Sequence, residues 1–182
     1  MKSIIQQDFY RNFGYWTNWP FLKGFMSPGF RFIYCLRKAQ LYSVKHPLGF
    51  FYRLLLRRYS IKYGYQISAK TEIGPGFNLG HWGHVVINPK CKIGKNCNIA
   101  HGVTLGQTNR GKQKGYPTLK NDVWVGTNAV IVGGITIGDN VLIAPNSYVT
   151  QDVPNNSVVT GNPMTIIQND KATEGYINHR IV

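Results

Sequence analysis

From Ile67 onward, aliphatic residues return every six positions. Ile67, Ile73 and Leu79 begin the series, Ile87, Ile93, Ile99 and Leu105 resume it, and Leu119, Val125, Ile131, Ile137, Ile143 and Val149 continue it. Four positions after most of these lies a second small or apolar residue: Thr71, Phe77, Cys91, Cys97, Val103, Val123, Ala129, Ile135, Val141, Ser147 or Val153. An α-helix cannot hold such a stripe, because six residues at 100° each leave the side chain about 120° off after every repeat. Short strands joined by turns can, with three hexapeptides closing a triangular coil of roughly 18 residues whose aliphatic positions stack into one core. Cys91 and Cys97 fall in the inward column and read as packing residues. Gly74, Gly80, Gly94, Gly106, Gly126 and Gly138 follow the aliphatic position, where a tight corner is expected to require positive φ.

Upstream the pattern changes. Helices are predicted over about 30–42 and again after Pro47, while the tail beyond Ile167 loses the repeat. The chain therefore divides into a helical segment over 1–66, a mainly β solenoid over 67–167 with a loop at 106–118, and a tail over 168–182.

Charge sharpens this division. Of the net +14, residues 1–66 hold eleven Lys or Arg against one acid, Asp8, and the remainder holds ten against six. Aromatics such as Trp16, Trp19, Phe50 and Phe51 are interleaved with those cations. Such a segment fits an anionic membrane surface or a helical cap with an aromatic core, and a nucleic-acid partner is not expected. No stretch reaches the roughly 20 apolar residues a spanning helix needs, and no secretory signal is evident. Three cysteines without framework spacing suit a reducing compartment. The expected location is the cytoplasm, with peripheral contact at the inner membrane face through residues 1–66.

Candidate chemistry gathers where the repeat breaks. Leu79 to Ile87 spans eight positions, so two residues are inserted around Gly80-His81-Trp82-Gly83-His84 and must bulge outward. His81 supplies an imidazole suited to removing a hydroxyl proton near neutral pH. His101 follows Ile99 by two, as His81 follows Leu79, so the two should stack on adjacent rungs. His84 could line or merely cover the insertion. These three histidines could also be cast as zinc ligands, although no metal is expected. The second break, GQTNRGKQKGYPT over 106–118, reads as an extended loop in which Arg110, Lys112 and Lys114 could meet phosphates and Tyr116 an acceptor.

The stretch IGPGFNLGHWGHVVINPKCKIGKNCNIAHGVTLG, followed by PTLKNDVWVGTNAVIVGGITIGDNVLIAPNSYV and VVTGNPMTII, resembles the hexapeptide-repeat acyltransferases over about residues 60–167. More narrowly it is similar to serine acetyltransferases and the related polysaccharide O-acetyltransferases. The resemblance implies a left-handed parallel β-helix, a homotrimer with sites between subunits, and acetyl-CoA as co-substrate. It implies His81 as the catalytic histidine, and Gly106, Gly126, Thr127, Ala144, Pro145 and Thr150 along coenzyme A. The loop is implied to fold over a neighbouring subunit's site. A basic residue common after the closing Pro is Thr165 here, which leaves Lys120 or a loop cation for the 3′-phosphate.

Three departures bear on the acceptor. Serine acetyltransferases typically carry Asp-His where this chain has Gly80-His81, and Arg-His-Pro where it has Gly115-Tyr116-Pro117. The aspartate that orients their histidine is Gln66, which can accept an imidazole N–H but cannot stabilise imidazolium by charge. With Trp82 available to stack on a ring, the expected acceptor is a sugar hydroxyl of a surface polysaccharide or its precursor. The alternatives are serine O-acetylation, and a noncatalytic or zinc-binding β-helix.

Overall fold

The computed structural model describes residues 2–182, apart from the side chains of Phe21 and Lys23. Local chemistry sets the helical starts. Ser3 forms a capping box with Gln6 ahead of α1 (Ile4–Phe13), and α2 (Pro20–Gly24) is a short turn of helix. Ser27 caps α3 (Pro28–Leu41), and His46 caps α4 (Pro47–Tyr63) by accepting from Leu48 N–H. In both, a proline at the first turn supplies a fixed φ without losing a hydrogen bond. Gly64, at φ 79°, ends α4 and passes the chain directly into the first strand.

From there the chain winds through three parallel sheets, so the hexapeptide period does encode a β-helix. The first sheet stacks β1 (Tyr65–Ile67), β4 (Val85–Ile87), β7 (Thr104–Gly106), β10 (Val130–Val132) and β13 (Tyr148–Val149). In the second, β2 (Glu72–Ile73), β5 (Lys92–Ile93), β8 (Thr118–Leu119) and β11 (Thr136–Ile137) stack likewise. The third holds β3 (Asn78–Leu79), β6 (Asn98–Ile99), β9 (Val123–Val125), β12 (Val141–Ile143) and β14 (Ser157–Thr160), closed by the antiparallel β15 (Thr165–Gln168). Register reproduces the breaks. Ile131 pairs with Val149, one uninterrupted rung on, whereas Leu79 pairs with Ile99 across the histidine insertion and Leu105 with Ile131 across the loop. The whole aliphatic column is buried, each side chain contributing about 1.5–3 kcal/mol of transfer free energy.

Glycine serves the corners differently from the expectation of positive φ. Gly74, Gly80, Gly94, Gly106, Gly126 and Gly138 all lie outside the left-handed region. That conformation falls instead to Asn96, Asp122, Asn140 and Asn156 on one corner column, and to Gly102, Asn128 and Asn146 on another. Asn and Asp tolerate it because their short polar side chains bond locally, and here they bond rung to rung, as in Asn140 Nδ2 to Asn156 Oδ1 at 2.8 Å. The glycines answer a spatial demand. A Cβ on Gly94 would sit 2.5 Å from Lys120 O and one on Gly126 2.7 Å from Pro145 N, whereas one on Gly80 would meet only Asn78 Oδ1 at 3.8 Å. Gly94→Ala is therefore expected to destabilise by about 1–3 kcal/mol and Gly80→Ala by well under about 1 kcal/mol. Denaturant unfolding of the two variants checks the contrast.

The helices cap the open end of the coil. Asp8 on α1 and Arg37 on α3 form a buried ion pair, Oδ2 to Nε 2.8 Å, with side chains 0% and 2% exposed. Arg37 also donates to Ile73 O and Gly74 O at 2.6 Å, and Asp8 accepts from Phe77 N–H at 3.0 Å. One ion pair thus ties two helices to the first rung. The tail returns along the asparagine corner. Thr173 Oγ1 donates to Asn140 Oδ1 at 2.6 Å, and Ile181 exchanges hydrogen bonds with the Asn96 side chain. Among the described residues, no helix is long and apolar enough to cross a membrane.

Candidate functional site

The inserted residues leave the coil at the corner after β3. Gly83, at φ 140°, lets them approach the next rung, where its Cβ position would lie 3.0 Å from His101 Cβ. Backbone bonds then fix the bulge: Gly83 N donates to Tyr63 O at 3.0 Å and Gly102 N to His84 O at 2.6 Å. Buried Tyr65 donates its hydroxyl to His81 O at 2.9 Å. Tyr65 and Gly83 were not singled out from the sequence, although the glycine on either side of His81-Trp82 was a readable sign of a constrained bulge.

The two imidazoles meet on adjacent rungs as the repeat arithmetic required, edge to face rather than face to face. Ring centroids of His81 and His101 are 5.7 Å apart with planes at 88°. His81 is exposed and its ring has no hydrogen-bond partner among the described residues, while His101 Nδ1 is buried and equally unpartnered. A buried, unsatisfied nitrogen is the kind of group a ligand or neighbouring subunit satisfies. Thr127 and Pro145 occupy the same turn position on the next two rungs, preceded by Gly126 and Ala144. A column of small residues thus runs from the histidine pair along one edge of the solenoid.

The other sequence candidates lie elsewhere in the chain. Gln66 lines a groove with Val86, Asn88 and Gly106 on the first sheet, and makes no hydrogen bond to His81. Gly106 is the last residue of β7, and Thr150 follows β13. Tyr116 is half-buried at the loop's base with Lys90 Nζ 5.0 Å from its ring centroid. The loop is closed on itself by Thr108–Gly115 pairing and held against its own next rung by Gly134 N to Gln113 O at 2.9 Å. Lys120 is exposed on the third corner, its carbonyl accepting from Cys97 Sγ at 3.1 Å. Burial pushes the Cys97 thiol up to about 12 and Cys91 up to about 11, so both are packed thiols rather than nucleophiles. His84 is exposed, and no three His, Cys, Asp or Glu side chains among the described residues gather as a metal site. Trp82, 67% exposed, walls a recess with Pro28, Arg31, Lys62 and Tyr63.

A parallel β-helix interrupted once by paired histidines and once by a basic loop defines a hexapeptide-repeat protein of the transferase type. Residues 116–151 match the family of bacterial transferase hexapeptide (six repeats). Serine acetyltransferase of Bacillus subtilis (strain 168) is 36% identical over 137 residues, 75% of this chain and 63% of its own length. That of Helicobacter pylori (strain ATCC 700392 / 26695) is 36% identical over 142 residues, 78% of this chain and 79% of its own. Among solved structures, serine acetyltransferase in complex with coenzyme A from Brucella abortus matches with a TM-score of 0.70 at 30% identity, covering 91% of this chain and 66% of that one. The Neisseria gonorrhoeae enzyme in complex with serine matches at 0.71 and 28%, covering 90% and 67%. The chain belongs to the serine acetyltransferase family, and spans under two thirds of the length of the Bacillus relative.

This kinship overturns the expectation of a sugar hydroxyl on a polysaccharide or its precursor as acceptor. The relatives and the structural neighbours are consistently serine acetyltransferases. The physical flaw lay in equating uncharged residues at Gly80 and Tyr116 with a neutral, ring-shaped acceptor. The fold brings the cations of Arg31 and Lys62 beside Trp82, so the insertion does not lack charged neighbours.

Proposed function

We propose that this chain is an acetyl-CoA-dependent serine O-acetyltransferase with His81 as its general base. The observation that carries the reading is the edge-to-face His81–His101 pair beside the repeat's break, at the head of a column of small residues, in a chain whose relatives include enzymes solved with coenzyme A and with serine. Acetyl-CoA, when bound, supplies the acetyl thioester. His81 takes the proton from the serine hydroxyl as its oxygen bonds to the acetyl carbon, and returns that proton to the departing sulfur. His101, one rung away, faces the His81 ring edge to face. Gly126 and Ala144 carry little or no side chain, which keeps that edge low for a chain-like cofactor.

One subunit carries two partial sites. His81, His101, Gly126, Thr127, Ala144 and Pro145 share one corner, whereas Gln66, Gly106, Tyr116 and Thr150 lie on or after the first sheet. Pairing these faces across subunits of a homotrimer completes the set, with Lys120 left for an outlying phosphate. The test is product analysis. Purified protein with acetyl-CoA and L-serine should release coenzyme A thiol and form O-acetylserine by mass spectrometry; thiol release that does not depend on serine would contradict the reading.

A further inference from the structure

The strongest feature the site does not use is the outer face of α4. Exposure along this helix follows a strict helical stripe: Phe50, Phe51, Leu54, Arg57, Arg58, Ile61 and Lys62 face outward while Leu56, Tyr59 and Tyr63 are buried. Phe50, Phe51 and Leu54 are 59%, 51% and 51% exposed. Large apolar side chains left contiguous on a surface mark an interaction site. The polar half of the stripe is wholly cationic, and residues 28–63 contain no acid.

We infer that this face docks on an anionic phospholipid surface, the three apolar side chains entering the headgroup boundary and Arg57 and Arg58 meeting the phosphates. Charge decides between this partner and a second copy of the chain. The one acid of the helical cap, Asp8, is buried in its pair with Arg37, so two caps meeting through α4 would bring like charges together. An anionic bilayer opposes none of these cations, and apolar burial with basic flanks is the chemistry of interfacial helices. The helix is too short and too charged to span, so contact is peripheral. Nothing here depends on the acetyl-transfer reading, since Phe50, Phe51, Leu54, Arg57 and Arg58 all lie away from the histidine insertion and its recess.

Co-sedimentation of the full chain with vesicles tests it. Binding to phosphatidylcholine containing about a third phosphatidylglycerol should exceed binding to phosphatidylcholine alone at least tenfold and weaken with salt. Phe50→Ser/Phe51→Ser/Leu54→Ser and, separately, Arg57→Glu/Arg58→Glu should each lose about tenfold or more. Both should keep the wild-type circular dichroism spectrum and acetyl-transfer rate. Equal binding to the two vesicle types, or wild-type binding by either variant, overturns the inference. So does a loss of oligomeric mass by the triple variant in light scattering without vesicle binding by wild type, which assigns the face to a second copy.

Discussion

Replacing His81 with alanine is expected to lower kcat for acetyl transfer to serine by about 10²–10⁴-fold, the range a positioned general base contributes. Folding should be untouched, because the ring is exposed and the bond from Tyr65 ends on the His81 carbonyl, which alanine retains. KM for acetyl-CoA should change little, since the column of Gly126, Thr127, Ala144 and Pro145 is intact. His101→Ala should cause a smaller loss, as His101 supports the ring across from it rather than receiving the proton. Steady-state rates and melting curves for the pair check both claims. A His81→Ala enzyme within about threefold of wild type would remove His81 from the mechanism.

Asp8→Ala should be among the most destabilising single changes in the helical cap. It leaves the Arg37 guanidinium buried against Ile73 O and Gly74 O without its counter-charge, a situation that costs about 3–5 kcal/mol. Arg37→Ala should match it by stranding the carboxylate. A double replacement, Asp8→Leu with Arg37→Met, should recover part of the loss, because removing both charges removes the uncompensated one. Chemical denaturation of the three variants measures this. Single variants within about 1 kcal/mol of wild type would show that the pair does not hold the cap to the first rung.

The coil was legible because its signal is periodic and repeated: thirteen aliphatic positions from Ile67 to Val149 all face one core. The position of His81, and its placement one rung from His101, followed from counting residues across the break. Corner chemistry was less readable. A glycine required by a neighbouring rung's backbone looks in sequence like one required by φ, and the two separate only when the Cβ position can be built, as at Gly94. The Asp8–Arg37 pair joins residues in different helices, a contact no local pattern encodes, although a lone acid among eleven cations was its visible trace. α1 escaped notice because Ile4, Phe9 and Phe13 are spaced among Gln, Asp and Asn with only a capping serine to announce the helix. The acceptor was misread because residue identity at Gly80 and Tyr116 says what is missing there, not which groups the fold brings near from α3 and α4.

On the proposed function, acetyl transfer takes place at the His81–His101 corner. A crystal structure of the protein with coenzyme A tests it most directly. The sulfur should lie within about 4 Å of the His81 ring, with pantetheine running along Gly126, Thr127, Ala144 and Pro145. Coenzyme A bound with its sulfur remote from His81, in any subunit of the assembly, would contradict the account.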